Sequence, residues 1–129
     1  RLRGLTPLSY GLTLVNQLSL SGYNHAELKF WTKWITEPTW DFATVEISSN
    51  NGSTWTTLRM PLSQTGSARS GSAQPAGTWG YDSWTPGLTW VEQAVNLTTW
   101  VNQQVKIRFR IAADGADQRD GFYVDDIRV

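Results

Sequence analysis

"VKIRFRIA", residues 105–112, is the stretch that decides the fold class. Val105, Ile107, Phe109 and Ile111 alternate with Lys106, Arg108 and Arg110. Period two with a cationic outer face describes a strand buried on one side only. Reading outward, "AELKFWTKWI" (26–35) sets Leu28, Phe30 and Trp34 on one face and Lys29, Trp31 and Lys33 on the other. In "DFATVEIS" (41–48), Ala43, Val45 and Ile47 share a face opposite Thr44 and Glu46. "LTLVNQLSL" (12–20) and "WVEQAVNL" (90–97) are weaker strand candidates, and no segment keeps a helical period for three turns. Short strands between turns point to an all-β fold, an antiparallel β-sandwich of jelly-roll type.

Composition narrows the chemistry. The 129 residues suit one domain with one substantial core. Eleven Lys and Arg balance eleven Asp and Glu, so nothing favours a nucleic-acid groove or an anionic membrane surface. There is no apolar run long enough for a membrane-spanning helix. Cysteine is absent, which removes disulfides, thiolate metal sites and thiol nucleophiles together. His25, the single histidine, cannot build a multi-histidine site alone. The chain opens at Arg1 with neither Met nor a signal peptide, as expected of a piece of a longer precursor. Eight Trp with abundant Thr and Ser incline the composition toward an extracellular protein.

Three stretches depart from plain alternation. "SSNNGSTW" (48–55) has Asn51-Gly52 at its centre, a turn pair tolerant of positive φ, and predicts a tight hairpin tip. Residues 61–89 are rich in Gly, Ser, Pro, Ala and Thr and predict a long irregular loop inserted into the sandwich. "GFYVDDIRV" (121–129) breaks parity, because Val124 and Ile127 are three apart and cannot share a face of a regular strand. One extra residue at Asp125-Asp126, a β-bulge, returns Ile127 and Val129 to the face of Val124.

With those residues in view, "WTKWITEPTWDFATVEISSNNGSTWTTL" and "VNLTTWVNQQVKIRFRIAADGADQRDGFYVDDIRV" resemble the MAM-like jelly-roll domain of immune inhibitor A-type secreted bacterial metallopeptidases. Ser48, Asn50, Gly52, Thr54 and Trp55 are similar to an Asp-box hairpin, with Asn50 where Asp is more usual. The resemblance implies an accessory β-sandwich rather than the catalytic unit, and the His-Glu-x-x-His segment of those peptidases has no counterpart here. It also implies a secreted, extracellular or cell-surface protein whose first partner is the catalytic domain of its parent chain. The resemblance further implies a structural Ca²⁺, which jelly rolls of this kind often hold between a sheet-edge loop and the terminal strand.

The expected sites follow. Calcium takes six to eight oxygens, and Glu37, Asp41, Asp125 and Asp126 are the candidate ligands. Their alternative is pairing with Arg108, Arg110 or Arg128, or with backbone amides of the bulge. "DGADQRD" (114–120) lacks the spacing of a calcium-binding loop and predicts a solvated acidic turn. Trp79, Tyr81, Trp84 and Trp90 crowd in or beside the long loop and either pin it to the sandwich or form a sugar-stacking platform. Function is thus expected to be that of a non-catalytic accessory domain, most plausibly of a peptidase, with a carbohydrate-binding module as the alternative. No nucleophile motif supports an enzyme, although a glycosidase carboxylate pair is set by the fold alone. Beyond the parent chain, an extracellular glycan or protein is the expected kind of partner, with no nucleic acid and no membrane insertion.

Overall fold

A computed structural model describes residues 8–113 and 121–129. The acidic turn expected around Asp114, Asp117 and Asp120 lies outside the described residues. Among the described residues ten strands form: β1 (Leu8–Thr13), β2 (Leu18–Ser19), β3 (Glu27–Ile35), β4 (Phe42–Ser48), β5 (Thr56–Thr57), β6 (Gln64–Thr65), β7 (Trp79–Gly80), β8 (Val91–Asn96), β9 (Gln104–Ala113) and β10 (Gly121–Arg128). Two single 3₁₀ turns, Pro86–Leu88 and Thr98–Trp100, punctuate the connections. The first sheet runs β1-β9-β4-β5, with β2 also on β9, and the second runs β10-β3-β8. All their pairings are antiparallel. The architecture is the β-sandwich that the alternation predicts.

The alternating residues make the core. Leu28, Phe30 and Trp34 of β3 face Ala43, Val45 and Ile47 of β4 and Val105, Ile107 and Phe109 of β9. Phe30 meets Phe109 edge to face, with ring centroids 5.0 Å apart, and each fully buried side chain of this size contributes about 1.5–3 kcal/mol. Ile111 keeps the predicted parity but is only half-buried, and it lines a cleft with Tyr10 and Phe122.

β4 is buried on both faces, which alternation does not reveal. On the outer face, Arg108 stands opposite Glu46 and Arg110 opposite Thr44. Arg108 Nη2 donates to Glu46 Oε1 at 2.7 Å, Thr44 Oγ1 donates to Glu46 Oε2 at 2.7 Å, and Trp55 stacks on the Arg108 guanidinium at 4.3 Å. Further along, Phe42 is roofed by β7. A Cβ on Gly80 would sit 2.8 Å from the Phe42 ring, so only glycine permits this approach.

The segment around Asn51-Gly52 has the expected positive φ at both residues. It is not a two-residue hairpin, however. Ile47 pairs with Thr56, so residues 49–55 form a broader tip held by side chains. Ser48 Oγ accepts from the Gly52 amide at 2.9 Å, and Asn50 Oδ1 accepts from the Thr54 amide at 2.9 Å. Asn50 does the work of the more usual Asp because its Oδ1 takes that amide while its Nδ2 donates to Thr54 Oγ1 at 2.7 Å. The tip is a structural device.

Residues 61–89 are less irregular than their composition suggests. They contribute β6 and β7, a bridge from Tyr81 to Ala43 of the first sheet and a bridge from Trp84 to Ile35 of the second. The chain thereby laces the β5/β8 flank of the sandwich shut.

Candidate functional site

The predicted ligands fall into two groups. Glu37 and Asp41 occupy the turn between β3 and β4 and are 6% and 3% exposed. Asp41 Oδ2 accepts the Glu37 amide at 3.3 Å, and the Glu37 carbonyl accepts the Trp40 and Asp41 amides at 3.2 and 3.0 Å. The long loop folds over this turn. Gln74 Nε2 donates to the Asp41 carbonyl at 2.7 Å, and the Ala73 amide donates to the Trp40 carbonyl at 2.7 Å. Asp82 accepts the Thr39 amide at 3.1 Å and the Ser83 amide at 2.8 Å, which fixes Thr39 at a positive φ of 66°. Arg69 lies 4.1 Å over the Trp40 ring.

Asp125 and Asp126 are elsewhere. Asp125 pairs with Trp31, and the next partner pair is Arg128 with Lys29, so one extra residue sits in β10. That is the predicted bulge, with Asp126 at a φ of 54°. It returns Ile127 and Val129 to the inner face, as the parity argument requires, and leaves both aspartates exposed. Asp126 pairs with Arg128, which also binds Glu92 at 2.7 Å; these carboxylates hold the Arg128 pKa above its usual value, the bond to Glu92 foremost. Trp31 to Glu37 is six residues along one strand and its continuation, roughly 20 Å at the usual strand rise. The four acids therefore do not surround one ion. No group of three His, Cys, Asp or Glu with metal-holding geometry occurs among the described residues. Among the described residues, the Glu37–Asp41 turn places two buried acidic residues four positions apart.

The four aromatics also divide. Tyr81 is a correction to the expected platform, because it is 0% exposed and belongs to the core. It stacks on Trp34 with centroids 4.1 Å apart, and its hydroxyl donates to Gln93 at 3.2 Å. Burial pushes its phenol pKa far up. Trp79 is half-buried under the Arg59 guanidinium at 4.4 Å. Trp84 is exposed on the loop. Trp90 instead joins the outer face of the second sheet, where its ring lies 6.3 Å from Tyr123. Trp31, Trp90, Asp125 and Asp126 line a shallow cleft there. Packing explains Trp79 and Tyr81, and exposure leaves Trp84 and Trp90 open to a ligand.

Against this geometry, a family model for the immune inhibitor A-like MAM domain matches residues 11–129. The chain belongs to that family. No curated protein matches it in sequence. MAM domains of this type are accessory rather than catalytic units and belong to secreted bacterial proteins. Within this MAM domain, the polar residues that secure the long loop are ones the alternation pattern does not mark. Thr85 is wholly buried, and its Oγ1 accepts the Trp34 amide at 2.8 Å and donates to the Trp34 carbonyl at 3.1 Å. Gln74 and Gln93 are buried likewise. Only Asp82 carries a local signal, since Asp-Ser beside aromatics favours an Asx turn.

Proposed function

We propose that this MAM domain is a non-catalytic accessory domain of a secreted bacterial peptidase of the immune inhibitor A type. The family match across residues 11–129 carries the reading. It is supported by the polar side chains of the loop, which hold the Glu37–Asp41 turn and the sandwich flank in place. The domain stabilises and presents its parent. Deleting residues 1–129 from the parent should lower secreted yield and melting temperature while leaving kcat on a short peptide near its original value. A collapse of kcat with unchanged stability, or proteolysis by the domain alone, would refute it.

A structural calcium ion belongs to the same proposal, restricted to the Glu37–Asp41 turn. Two carboxylates buried together are costly unless neutralised, and a hard cation with oxygen ligands suits them. Asp125 and Asp126 are too distant to share it. Melting with and without EDTA is the test, and an unchanged midpoint argues against the ion.

A second reading, glycan binding, is favoured by the exposed Trp31, Trp90 and Tyr123 beside Asp125. Ring faces stack on pyranose CH groups while carboxylates accept hydroxyls. Retardation in a polysaccharide gel that vanishes on Trp90→Ala supports it, and equal mobility of both proteins rejects it.

A further inference from the structure

The side chains that shape the 49–55 tip also touch a chemically labile pair. Asn51 is the one asparagine of the chain followed by glycine. With no side chain on that next residue, its backbone nitrogen can close on the asparagine side chain and form a five-membered succinimide. Asn51 is exposed, and its side chain makes no hydrogen bond among the described residues. What is restrained is the attacking atom. The Gly52 amide donates to Ser48 Oγ at 2.9 Å, and Ser48 is 2% exposed. The Ser48 hydroxyl gives its own hydrogen to Asn50 Oδ1 at 2.8 Å and accepts the Asn50 amide at 3.3 Å. Ser48 Oγ therefore turns only lone pairs toward Gly52.

We propose that Asn51 is a deamidation site and that the Ser48 hydroxyl holds it in check. The reaction needs water and no other reagent. The Gly52 nitrogen loses its proton to hydroxide and attacks Asn51 Cγ. The new C–N bond closes the succinimide, the Cγ–Nδ2 bond breaks, and Nδ2 leaves as ammonia after taking a proton from water. A second water then opens either ring carbonyl, giving aspartate or isoaspartate. The net change is one water consumed and one ammonia released. Two features of the tip oppose the first step. Removing the Gly52 proton sets an anionic nitrogen against the Ser48 lone pairs, where a hydrogen bond now lies. Swinging that nitrogen onto Cγ breaks the same bond, and Trp55, 3.5 Å from where a Gly52 Cβ would stand, closes the space beside it. Asn50 is the lesser target, because it is followed by Asn51 and both its side-chain atoms are held by Thr54. The outcome bears on the fold, since isoaspartate adds a methylene to the main chain at the tip and displaces the Gly52 amide from Ser48.

The test incubates the unsubstituted chain, Ser48→Ala and Thr54→Ala at mildly alkaline pH, below their melting midpoints, and follows isoaspartate at position 51 by peptide mapping. Thr54→Ala removes the bond from Asn50 Nδ2 but leaves the Gly52 amide on Ser48. Ser48→Ala should deamidate at least ~5-fold faster, the factor that one net hydrogen bond represents, while Thr54→Ala should stay within about twofold of the unsubstituted chain. The unsubstituted chain in urea should be faster than the folded one. Equal rates for Ser48→Ala and the unsubstituted chain overturn the proposal, as do equal rates in urea and in the fold. Equal acceleration by both substitutions also overturns it, because general loosening of the tip would then be the cause. Where Ser48→Ala does not fold, hydrogen exchange of the Gly52 amide in the unsubstituted chain takes its place. Slow exchange beside slow deamidation upholds the proposal, and fast exchange beside slow deamidation overturns it.

Discussion

Replacing Gln74 by Ala should loosen the long loop from the turn that it covers. Gln74 is 1% exposed and makes two hydrogen bonds, from Nε2 to the Asp41 carbonyl at 2.7 Å and from the Ser67 amide to Oε1 at 3.0 Å. Each is worth about 1 kcal/mol net. Ser67 is exposed and can turn to water, but the Asp41 backbone is buried, and its unmet carbonyl adds about 1 kcal/mol or more. The sum is about 3 kcal/mol. For a domain of this length, about 4 °C accompanies each kcal/mol, so calorimetry should show a midpoint lowered by about 12 °C. Limited proteolysis should then cut between Gly66 and Thr78, where the unsubstituted domain should resist cleavage. Gln74→Glu sharpens the test. It keeps an acceptor for Ser67 but turns a carboxylate oxygen toward the Asp41 carbonyl, so it should destabilise at least as much. A loss below about 1 kcal/mol with unchanged proteolysis would mean that the loop is held by its backbone bridges and not by this side chain.

Three further outcomes are expected. Gly80→Ala forces a methyl to within 2.8 Å of the buried Phe42 ring and should cost about 2–3 kcal/mol in urea unfolding. Glu46→Gln should cost about 2 kcal/mol, below the figure for a fully buried pair because Arg108 remains partly exposed, and a double-mutant cycle with Arg108→Gln should return a coupling of about 1 kcal/mol. Above about pH 10 the unfolded chain releases the Tyr81 proton while the folded chain retains it, so stability should fall by about 1.4 kcal/mol per pH unit. Full stability holds below that point, and Tyr81→Phe should flatten the alkaline slope at the cost of the Gln93 bond, as read from denaturant melts across pH 8–11.

The core was legible because a side chain on a strand has only two faces to choose between. Leu28, Phe30, Trp34, Val45, Ile47, Val105 and Phe109 all lie where period two puts them. The bulge was legible for the same reason, as Val124 and Ile127 contradict each other in any regular strand. What alternation omits is whether anything covers a face. Glu46 lies on the outer face as expected, yet is buried because two arginines and Trp55 come from sequence-distant segments. Tyr10 and Leu12 show the converse, inward yet wet. Tyr81 looked like a loop aromatic because the strand bridge that carries it into the core is a single residue pair.

The separation of the four expected calcium ligands has a different cause. Parity says which way a carboxylate points but not how far along the strand it lies, and that distance comes only from the register of β10 on β3. Gly121 opposite Ile35 brings the start of β10, not its bulge, toward the Glu37 end. The bulge four residues later faces Trp31 and Glu92, where Arg128 takes both Glu92 and Asp126. The same added residue thus does two unrelated things. It places acids beside exposed tryptophans on the outer face, and it aims Ile127 and Val129 into a cleft with Leu12 and Phe109. Deleting Asp126 should therefore restore a regular strand without exchanging faces, because Val124, Ile127 and Val129 then alternate with Asp125 and Arg128 as period two requires. The Arg128–Glu92 ion pair and the inward Ile127 and Val129 should persist while Arg128 loses its Asp126 partner, which crystallography or backbone chemical shifts of β10 would reveal. An outward Ile127 in that variant would refute the parity argument.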